Sequence, residues 1–323
     1  MKSPIYFTPS PITNDEIAGA EKIREIVDDI PDLFNTTFYL ARWWRAYNGD
    51  LDRIKQNMKD LFDHRRALGY DRIETHLLQT KLEFAGKTFE ITKVVPFSYV
   101  LHSYYIMQEA FTRAQLEVEK ATGKPAAVVS ILDLSGINTA ALLNPLSVSA
   151  QFVRLIVKIW ADYFVETLVP AIYGGEWYDD SGYAEKPELV CQKPIKIEPE
   201  HYYNCDLLWQ KYGFTKVPPK CLEIIKRKQT FEVQKICTTE SQILLWHFTV
   251  STDIEFMIIA TNEMDDEQIV WPKITLKSLG TPEQGSISCK CNCKYTLLFK
   301  NPTRFLTPAR LKYAIELCSN VII

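Results

Sequence analysis

The sequence has neither an excess of charge of one sign nor a long apolar run. Residues 1–175 carry 19 basic and 21 acidic side chains, and residues 176–323 carry 18 and 19. Neither half provides the positive field that attracts phosphate backbones, so we expect no nucleic-acid partner. No apolar run approaches the ~20 residues that span a bilayer, and the first residues lack the apolar stretch of a signal peptide. These absences predict a soluble cytoplasmic protein.

The sequence also lacks the short motifs of common catalytic and nucleotide-binding sites. It contains no G-x-G-x-x-G, P-loop, G-x-S-x-G or H-E-x-x-H pattern. Its five histidines lack metal-ligand spacing. His247 falls on the polar positions of an alternating run, so we expect its side chain to be exposed. These observations predict a protein that is not an enzyme and needs no cofactor or metal.

Length and composition allow a folded protein of several domains. The chain has 323 residues, of which 46% are hydrophobic, enough for two or three domains. All eight cysteines lie between Cys191 and Cys318, which indicates that the two ends of the chain are different domains. In the cytosol these cysteines are expected to be thiols.

The first 70 residues predict a small helical bundle. Thr13 and Glu16 have capping-box spacing and open a helix to about residue 29. A short aromatic helix follows over 38–44. A third helix begins at Asp50 as N-cap and ends at Gly69, with apolar residues at helical spacing between them.

Two longer helices and a buried strand are predicted in the middle of the chain. The helices cover 97–122 and 148–167, and the continuous apolar run 126–133 is typical of a parallel strand. The apolar stripes of the helices are Val100, Tyr104, Met107 and Phe111 on the first, and Phe152, Ile156, Ile159 and Tyr163 on the second.

From about residue 228 the hydrophobic period changes from 3.6 to 2. Alternating runs cover 244–250, 254–258, 287–299 and 311–317, and several such strands predict an antiparallel β-sandwich. In the run 287–299 the odd positions are expected to be buried: Ile287, Cys289, Cys291, Cys293, Tyr295, Leu297 and Phe299. The even positions Lys290, Asn292 and Lys294 are expected to be exposed.

The spacing Cys289-x-Cys291-x-Cys293 has two interpretations, a metal site or core packing. Residues on one face of a strand lie roughly 6.6 Å apart, so three thiolates in a row do not close a tetrahedron. These cysteines share their face with Ile287 and Tyr295, and free cysteine behaves as a small buried hydrophobe. Core packing is therefore favoured over zinc.

One basic cluster interrupts the even distribution of charge. It consists of Lys226, Arg227 and Lys228, with Lys220 nearby. It is either a solvated loop before the first sandwich strand or a surface for anionic lipid, to which basic residues near the membrane contribute.

The order of these elements resembles the CRAL-TRIO lipid-binding family. Residues 38–69 are similar to its N-terminal helical module. Residues 131–136 resemble its strand ending in Asp-x-x-Gly, and residues 168–175 its closing Pro-x-x-Tyr-Gly-Gly. The module is matched at Arg42, Trp43, Arg45, Asp50, Leu51, Arg65 and Gly69.

The C-terminal strands resemble a second family, the GOLD (Golgi dynamics) domain. The residues that carry this resemblance are Leu244-x-Trp246-x-Phe248, Asp253-Ile254-x-Phe256 and Tyr295-x-Leu297-x-Phe299-x-Asn301. Together the two resemblances cover most of the chain and imply the group that combines a CRAL-TRIO domain with a GOLD domain.

The chain departs from the CRAL-TRIO pattern between Gly136 and Tyr173. The family places several parallel strands and a mobile gate helix there, whereas this interval has room for one helix and a short tail, since a βαβ unit needs ~30 residues. The segment 76–96 is also short. The lipid-binding domain is therefore expected to be abridged, with at most two or three strands. The chain is either an abridged product of a longer gene or a paralogue that lost the enclosed lipid cavity of the family.

The resemblance implies an α+β multidomain protein. The expected parts are a helical module over 1–70, an abridged α/β lipid-binding domain over 76–175, a connector over 176–227 and a GOLD β-sandwich over 228–323. The implied function is the non-catalytic transfer of a phosphatidylinositol- or tocopherol-like ligand between membranes, with transient membrane contact at Golgi or endosomal membranes. The alternative is a truncated GOLD adaptor that carries no lipid and docks a protein partner.

If a hydrophobic ligand binds, we expect it to contact the two helix stripes. The lipid-facing residues are then Val100, Tyr104, Met107, Phe111, Phe152, Ile156 and Ile159.

Cys289, Cys291 and Cys293 should be reduced and metal-free, because they share a face with core residues. We expect these thiols to react slowly with a thiol reagent in the native protein and much faster after denaturation. Elemental analysis that finds about one equivalent of zinc would contradict this prediction.

Overall fold

The computed structural model describes residues 11–70, 96–127, 143–145, 147–164, 202–239, 241–279, 281–302 and 307–319. Within them the architecture is α+β, with a helical N-terminal region followed by an antiparallel sheet region. The predicted strand 126–133 lies outside the described residues beyond Ala127. The segments 76–95, 131–136 and 168–175, which bear on the family resemblance, lie outside them as well.

The N-terminal helices form where the capping residues predict them. They are α1 (Asn14–Ile26), a short 3-10 helix (Asp32–Phe34), α2 (Thr37–Ala46) and α3 (Leu51–Leu68). The Thr13 hydroxyl accepts the N–H of Glu16 at 3.2 Å, and the Glu16 carboxylate accepts the N–H of Thr13 at 2.8 Å. Asp50 caps α3, and Gly69 ends it with a left-handed φ of 66°. The predicted caps are confirmed.

Three further helices are described. They are α4 (Phe97–Thr122), α5 (Val148–Tyr163) and α6 (Asp206–Gln210). The bounds of α4 are those predicted, whereas α5 ends four residues before the predicted 167, with Phe164 at its C-cap.

The strands form two four-stranded antiparallel sheets. The strands are β1 (Cys221–Ile225), β2 (Thr230–Cys237), β3 (Gln242–Val250), β4 (Ile254–Thr261), β5 (Glu267–Leu276), β6 (Glu283–Ser288), β7 (Cys293–Lys300) and β8 (Ala309–Ser319). The first sheet has the order β1-β8-β3-β6 and the second the order β2-β7-β4-β5. Strand β1 lies inside the predicted connector, so the sheet region begins before residue 228.

The alternating run 287–299 is two strands rather than the single predicted strand. Ser288 ends β6 in one sheet and Cys293 begins β7 in the other, with Asn292 at φ 57° in the turn between them. Cys289 and Cys293 are buried, whereas Ile287 and Cys291 are half-buried. The alternation persists because both sheets turn their apolar faces to the same core. Of the even positions, Lys290 and Asn292 are exposed and Lys294 is half-buried.

Aromatic rings join the two sheets. Phe248 of the first sheet lies 5.0 Å from Phe256 and 5.2 Å from Phe299 of the second, between ring centroids. Trp246 lies over Gly285 on the neighbouring strand, where an added Cβ would stand 2.3 Å from the indole. Only glycine allows this close approach.

The core of the sheets continues into the helical region. Strand β5 packs across α3, and Lys273 of β5 forms an ion pair with Asp60 of α3. The Trp271 ring of β5 lies 4.9 Å from that of His102 on α4. Buried side chains from α1 through β8 belong to one hydrophobic cluster. The described helices and strands therefore share their core.

His247 is fully buried, so the prediction that it is exposed is wrong. The outer face of its sheet is covered by α6, whose Trp209 packs with Ile243, Leu245 and Ala314. The His247 Nδ1 lies 3.2 Å from the side-chain oxygen of Gln284, and burial lowers the pKa of His247 to about 4. Alternation reveals which face is polar, but not whether another segment covers it.

A buried carboxylate from the sheet region caps α4. The residue before this helix is Pro96, which has no side-chain cap. The Glu283 carboxylate of β6 accepts the N–H of Phe97 at 3.0 Å and the N–H of Ser98 at 3.1 Å. It thereby satisfies two of the four amides that a helix N-terminus leaves unpaired. Burial nevertheless raises the pKa of Glu283 to about 7, against the effect of these hydrogen bonds.

Truncating Trp246 or Phe299 to alanine should lower the free energy of unfolding by about 3–5 kcal/mol, because each leaves a cavity in a closed core. Both side chains are at most 1% exposed. Chemical denaturation of the full chain measures the effect. The control is Met264→Ala, which is 84% exposed and should change stability by less than about 0.5 kcal/mol. Core variants that unfold like the parent would contradict this assignment.

Glu283 should make the protein less stable as pH rises from about 4.5 to about 7. In this window the unfolded chain ionises its Glu283 while the folded protein still holds the proton, so the stability present below pH 4.5 is lost. The loss is on the order of 3 kcal/mol. Glu283→Gln removes this loss. The unfolding free energy of the parent minus that of the variant should therefore fall as pH rises across this window. A difference that does not vary with pH would contradict the raised pKa.

Candidate functional site

The pair of helices α4 and α5 carries the residues that the sequence assigns to ligand binding. The two helices meet through aromatic rings at two levels. Phe97 and Phe152 have ring centroids 5.4 Å apart, and further along Tyr105 and Tyr163 are 5.9 Å apart. On α4 these contacts are made by Phe97 and Tyr105, which are not members of the predicted stripe, whereas on α5 they are made by Phe152 and Tyr163, which are.

The seven predicted residues differ in burial. Val100 and Ile159 are buried in the shared core, and Tyr104, Phe152 and Ile156 are half-buried and packed against it. Met107 is half-buried, and Phe111 is 37% exposed. Along α4 the predicted stripe becomes steadily less covered, and beyond it Val118 is 51% exposed.

The most deeply buried side of α4 is a different stripe, which the sequence analysis missed. It consists of Leu101, Tyr105, Ile106 and Leu116. These residues pack toward the helical region and the sheets. A helix that is apolar around most of its circumference indicates burial on more than one side, and this signal is visible in residues 97–107. The predicted stripe is therefore the outer of two apolar faces.

Two buried ion pairs hold α4 against the helical region. Arg65 of α3 pairs with Glu109, which also accepts from Arg113 Nε at 2.7 Å. Arg42 of α2 pairs with Glu119 at 2.5 Å. Arg42 and Arg65 are positions of the family resemblance, and the structure gives them acidic partners on α4. Removing one member of such a pair leaves a buried charge and costs about 3–5 kcal/mol.

A cleft of about 190 Å³ opens between α3, α5, β4 and β5. Its apolar lining consists of Tyr105, Leu155, Ile159, Tyr163 and Ile274. The three carboxylates that line it each have an ion-pair partner, since Asp60 pairs with Lys273, Asp162 with Lys158 and Glu255 with Lys300. Drug-sized ligands occupy about 300–1,000 Å³. The cleft therefore suits one short apolar group and offers no free charge for an ionic ligand.

Two histidines that are far apart in sequence meet beside this cleft. The rings of His64 and His102 lie 5.7 Å apart, and His64 stacks on Tyr105 at 3.8 Å. Burial holds the pKa of His64 well below its usual value. Neither ring nitrogen of His64 has a hydrogen-bond partner in the described structure. The histidine is therefore neutral and belongs to the core.

Four cysteines lie at one end of the sandwich, namely Cys237, Cys289, Cys291 and Cys293. Cys237 stands opposite Cys293 across β2 and β7, and its thiol donates to the carbonyl oxygen of Thr239 at 3.2 Å. Burial raises the pKa of Cys289 to about 12. All seven described cysteines are free. Within the described ranges, no group of three or more histidine, cysteine or acidic residues could hold a metal ion.

None of the described helices is long and apolar enough to cross a bilayer.

Comparison with family models returns no match. Among curated proteins, the chain is similar to a CRAL-TRIO domain-containing protein of Caenorhabditis elegans, at 21% identity over 97% of this chain and 98% of the worm protein. That alignment spans 410 positions, whereas this chain has 323 residues. At least 87 positions (410 less 323) therefore hold residues of the worm protein without a counterpart here.

Among solved structures, a 4-O-methyl-α-glucuronidase of family GH115 matches with a TM-score of 0.17 and 9% identity. The match covers 86% of this chain and 41% of that chain, and likeness at this level carries no argument about fold or function. The relationship that the comparisons support is a distant one, over nearly the whole chain, to a protein named for its CRAL-TRIO domain.

Proposed function

We propose that this protein binds a hydrophobic ligand and transfers it between membranes without catalysing a reaction. The observation that carries the proposal is its similarity, over nearly its whole length, to a protein named for a CRAL-TRIO domain. That domain family binds lipids, and the sequence resembles it independently at residues 38–69. A phosphatidylinositol- or tocopherol-like molecule is the ligand class we propose.

The helix pair provides apolar surface for such a ligand. The outer stripe of α4 passes from the buried Val100 to the exposed Phe111. On α5 the side chains of Val148 and Val157 are also exposed. Burying these side chains against a ligand would yield ~25 cal/mol per Å² of apolar surface. Because the cleft of about 190 Å³ is too small for a whole lipid, we propose that the ligand lies along the outer stripe.

For the sheet region we propose a GOLD-type sandwich. The resemblance at residues 244–248 and 295–301 and the two four-stranded antiparallel sheets support this assignment. We further propose that the protein is cytoplasmic and contacts Golgi or endosomal membranes only transiently, because transfer requires contact first with a donor membrane and then with an acceptor membrane. The adaptor function, without a carried lipid, has no comparable support.

Fluorescent phosphatidylinositol moved from donor to acceptor liposomes tests the proposal, together with mass spectrometry of lipid extracted from the purified full chain. We expect a bound lipid and measurable transfer, slower than that of a CRAL-TRIO carrier with a complete lipid-binding domain. Replacing Met107 and Phe111 by serine should slow transfer severalfold, because it removes apolar contacts of the ligand.

The matched control is Ile236→Ser, which removes an apolar side chain that is 64% exposed on β2, away from α4. It should leave the transfer rate within about twofold of the parent, since an exposed substitution far from the helices changes little. An empty protein without transfer would contradict the proposal, and a protein partner co-purifying with the empty form would favour the adaptor.

A further inference from the structure

The edge strand β1 presents two apolar side chains on its outer face, flanked by cations. Leu222 is 57% exposed and Ile224 is 52% exposed. Their cross-strand neighbours on β8 are Lys312 and Arg310, respectively. Directly opposite residues of an antiparallel pair share one face of the sheet. The four side chains therefore form one outward patch.

Further cations lie before and after β1. Lys216 and Lys220 line an open groove with Leu222 and Lys312. Lys226, Arg227 and Lys228 form the turn after the strand, with Lys228 at φ 59°. Seven cations of this region are exposed, namely Lys216, Lys220, Lys226, Arg227, Lys228, Arg310 and Lys312. We call these seven cations, together with Leu222 and Ile224, the basic edge surface.

The basic edge surface is not neutralised by neighbouring acids. Among the described residues, none of its seven cations forms an ion pair. The acids closest in the chain are Glu223, Glu232 and Glu316, each three or four residues from one of these cations, followed by Asp206, ten residues before Lys216. Glu232 is exposed on β2, which belongs to the other sheet, and Glu316 pairs with Lys235 at 3.5 Å. Glu223 lies on the opposite face of β1, together with the buried Ile225, and Asp206 is half-buried and accepts the N–H of Val217. Because the whole chain has a net charge of −3, this surface is a local reversal of the overall charge.

Protection of a sheet edge alone does not explain the composition of this surface. Lysines on an edge strand discourage pairing with other chains. Two exposed branched apolar side chains on the same strand work against that purpose. Cations around a small apolar patch are instead the combination with which peripheral proteins meet anionic membranes.

We propose that the basic edge surface docks the protein on an anionic lipid surface. The cations contact the phosphate and carboxylate groups of the lipids, and Leu222 and Ile224 enter the interface between them. A membrane is favoured over an acidic peptide because the apolar side chains stand on an open sheet face with cations before, after and beside them. The inference deepens the proposed transfer function by naming where the carrier meets the membrane, but docking itself requires no carried ligand.

Co-sedimentation of the full chain with vesicles tests the proposal. Phosphatidylcholine vesicles containing phosphatidylserine should bind the protein at low salt and release it at high salt, and vesicles of phosphatidylcholine alone should not bind it. Reversing Lys226, Arg227 and Lys228 to glutamate should lower the partition coefficient about tenfold or more. Leu222→Ser with Ile224→Ser should lower it severalfold.

The matched control reverses three exposed cations of the helical region, Lys55, Lys120 and Lys124, to glutamate. It carries the same change of net charge and should keep the partition coefficient within about twofold of the parent. Thermal unfolding confirms that all variants fold. Equal loss in this control, binding to neutral vesicles, or retention on polyglutamate without vesicle binding would each overturn the proposal. Lipid transfer that persists without docking at this surface would overturn the inference and leave the proposed function intact.

Discussion

Three buried carboxylates position helix α4, and the arrangement of the described helices and sheets depends on them. Glu283 caps the start of the helix from the sheet region. Glu109 and Glu119 pair with arginines of the helical region. A carboxylate without a partner in such surroundings is costly, so each of these groups selects one placement of the helix. Helix α4 therefore connects the N-terminal helical region to the C-terminal sheet region.

The packing of α4 against the core limits which of its faces can bind a ligand. One apolar face of α4 is occupied by the core, which leaves its second face, from Tyr104 to Phe111, as the one with surface to offer a ligand. In the proposed carrier, the part of the ligand surface that α4 contributes is therefore rigidly positioned. The basic edge surface lies on β1 and β8, whereas the proposed ligand surface lies on helices. Docking and ligand contact would then be separate functions of separate elements.

The wrong expectations share one physical cause. His247 was expected in solvent because alternation marks the polar positions of a strand, but α6 covers that face with Trp209. The run 287–299 was expected to be one strand, but it turns at Asn292 and enters the second sheet. In both cases the alternation of polar and apolar positions is present in the structure, and the position of a second layer decided the outcome.

The sequence by itself determined helices α1 to α5 and those helix ends that carry caps such as Thr13, Asp50 and Gly69, since a cap acts within a few residues of its own position. It also determined the strand character of the C-terminal region, because a period of 2 is a property of each strand. Tertiary structure alone decided the partners of Glu109, Glu119 and Glu283. Nothing local distinguishes a buried carboxylate from an exposed one, because its ionisation and energy depend on groups that the chain brings together from up to 186 positions away.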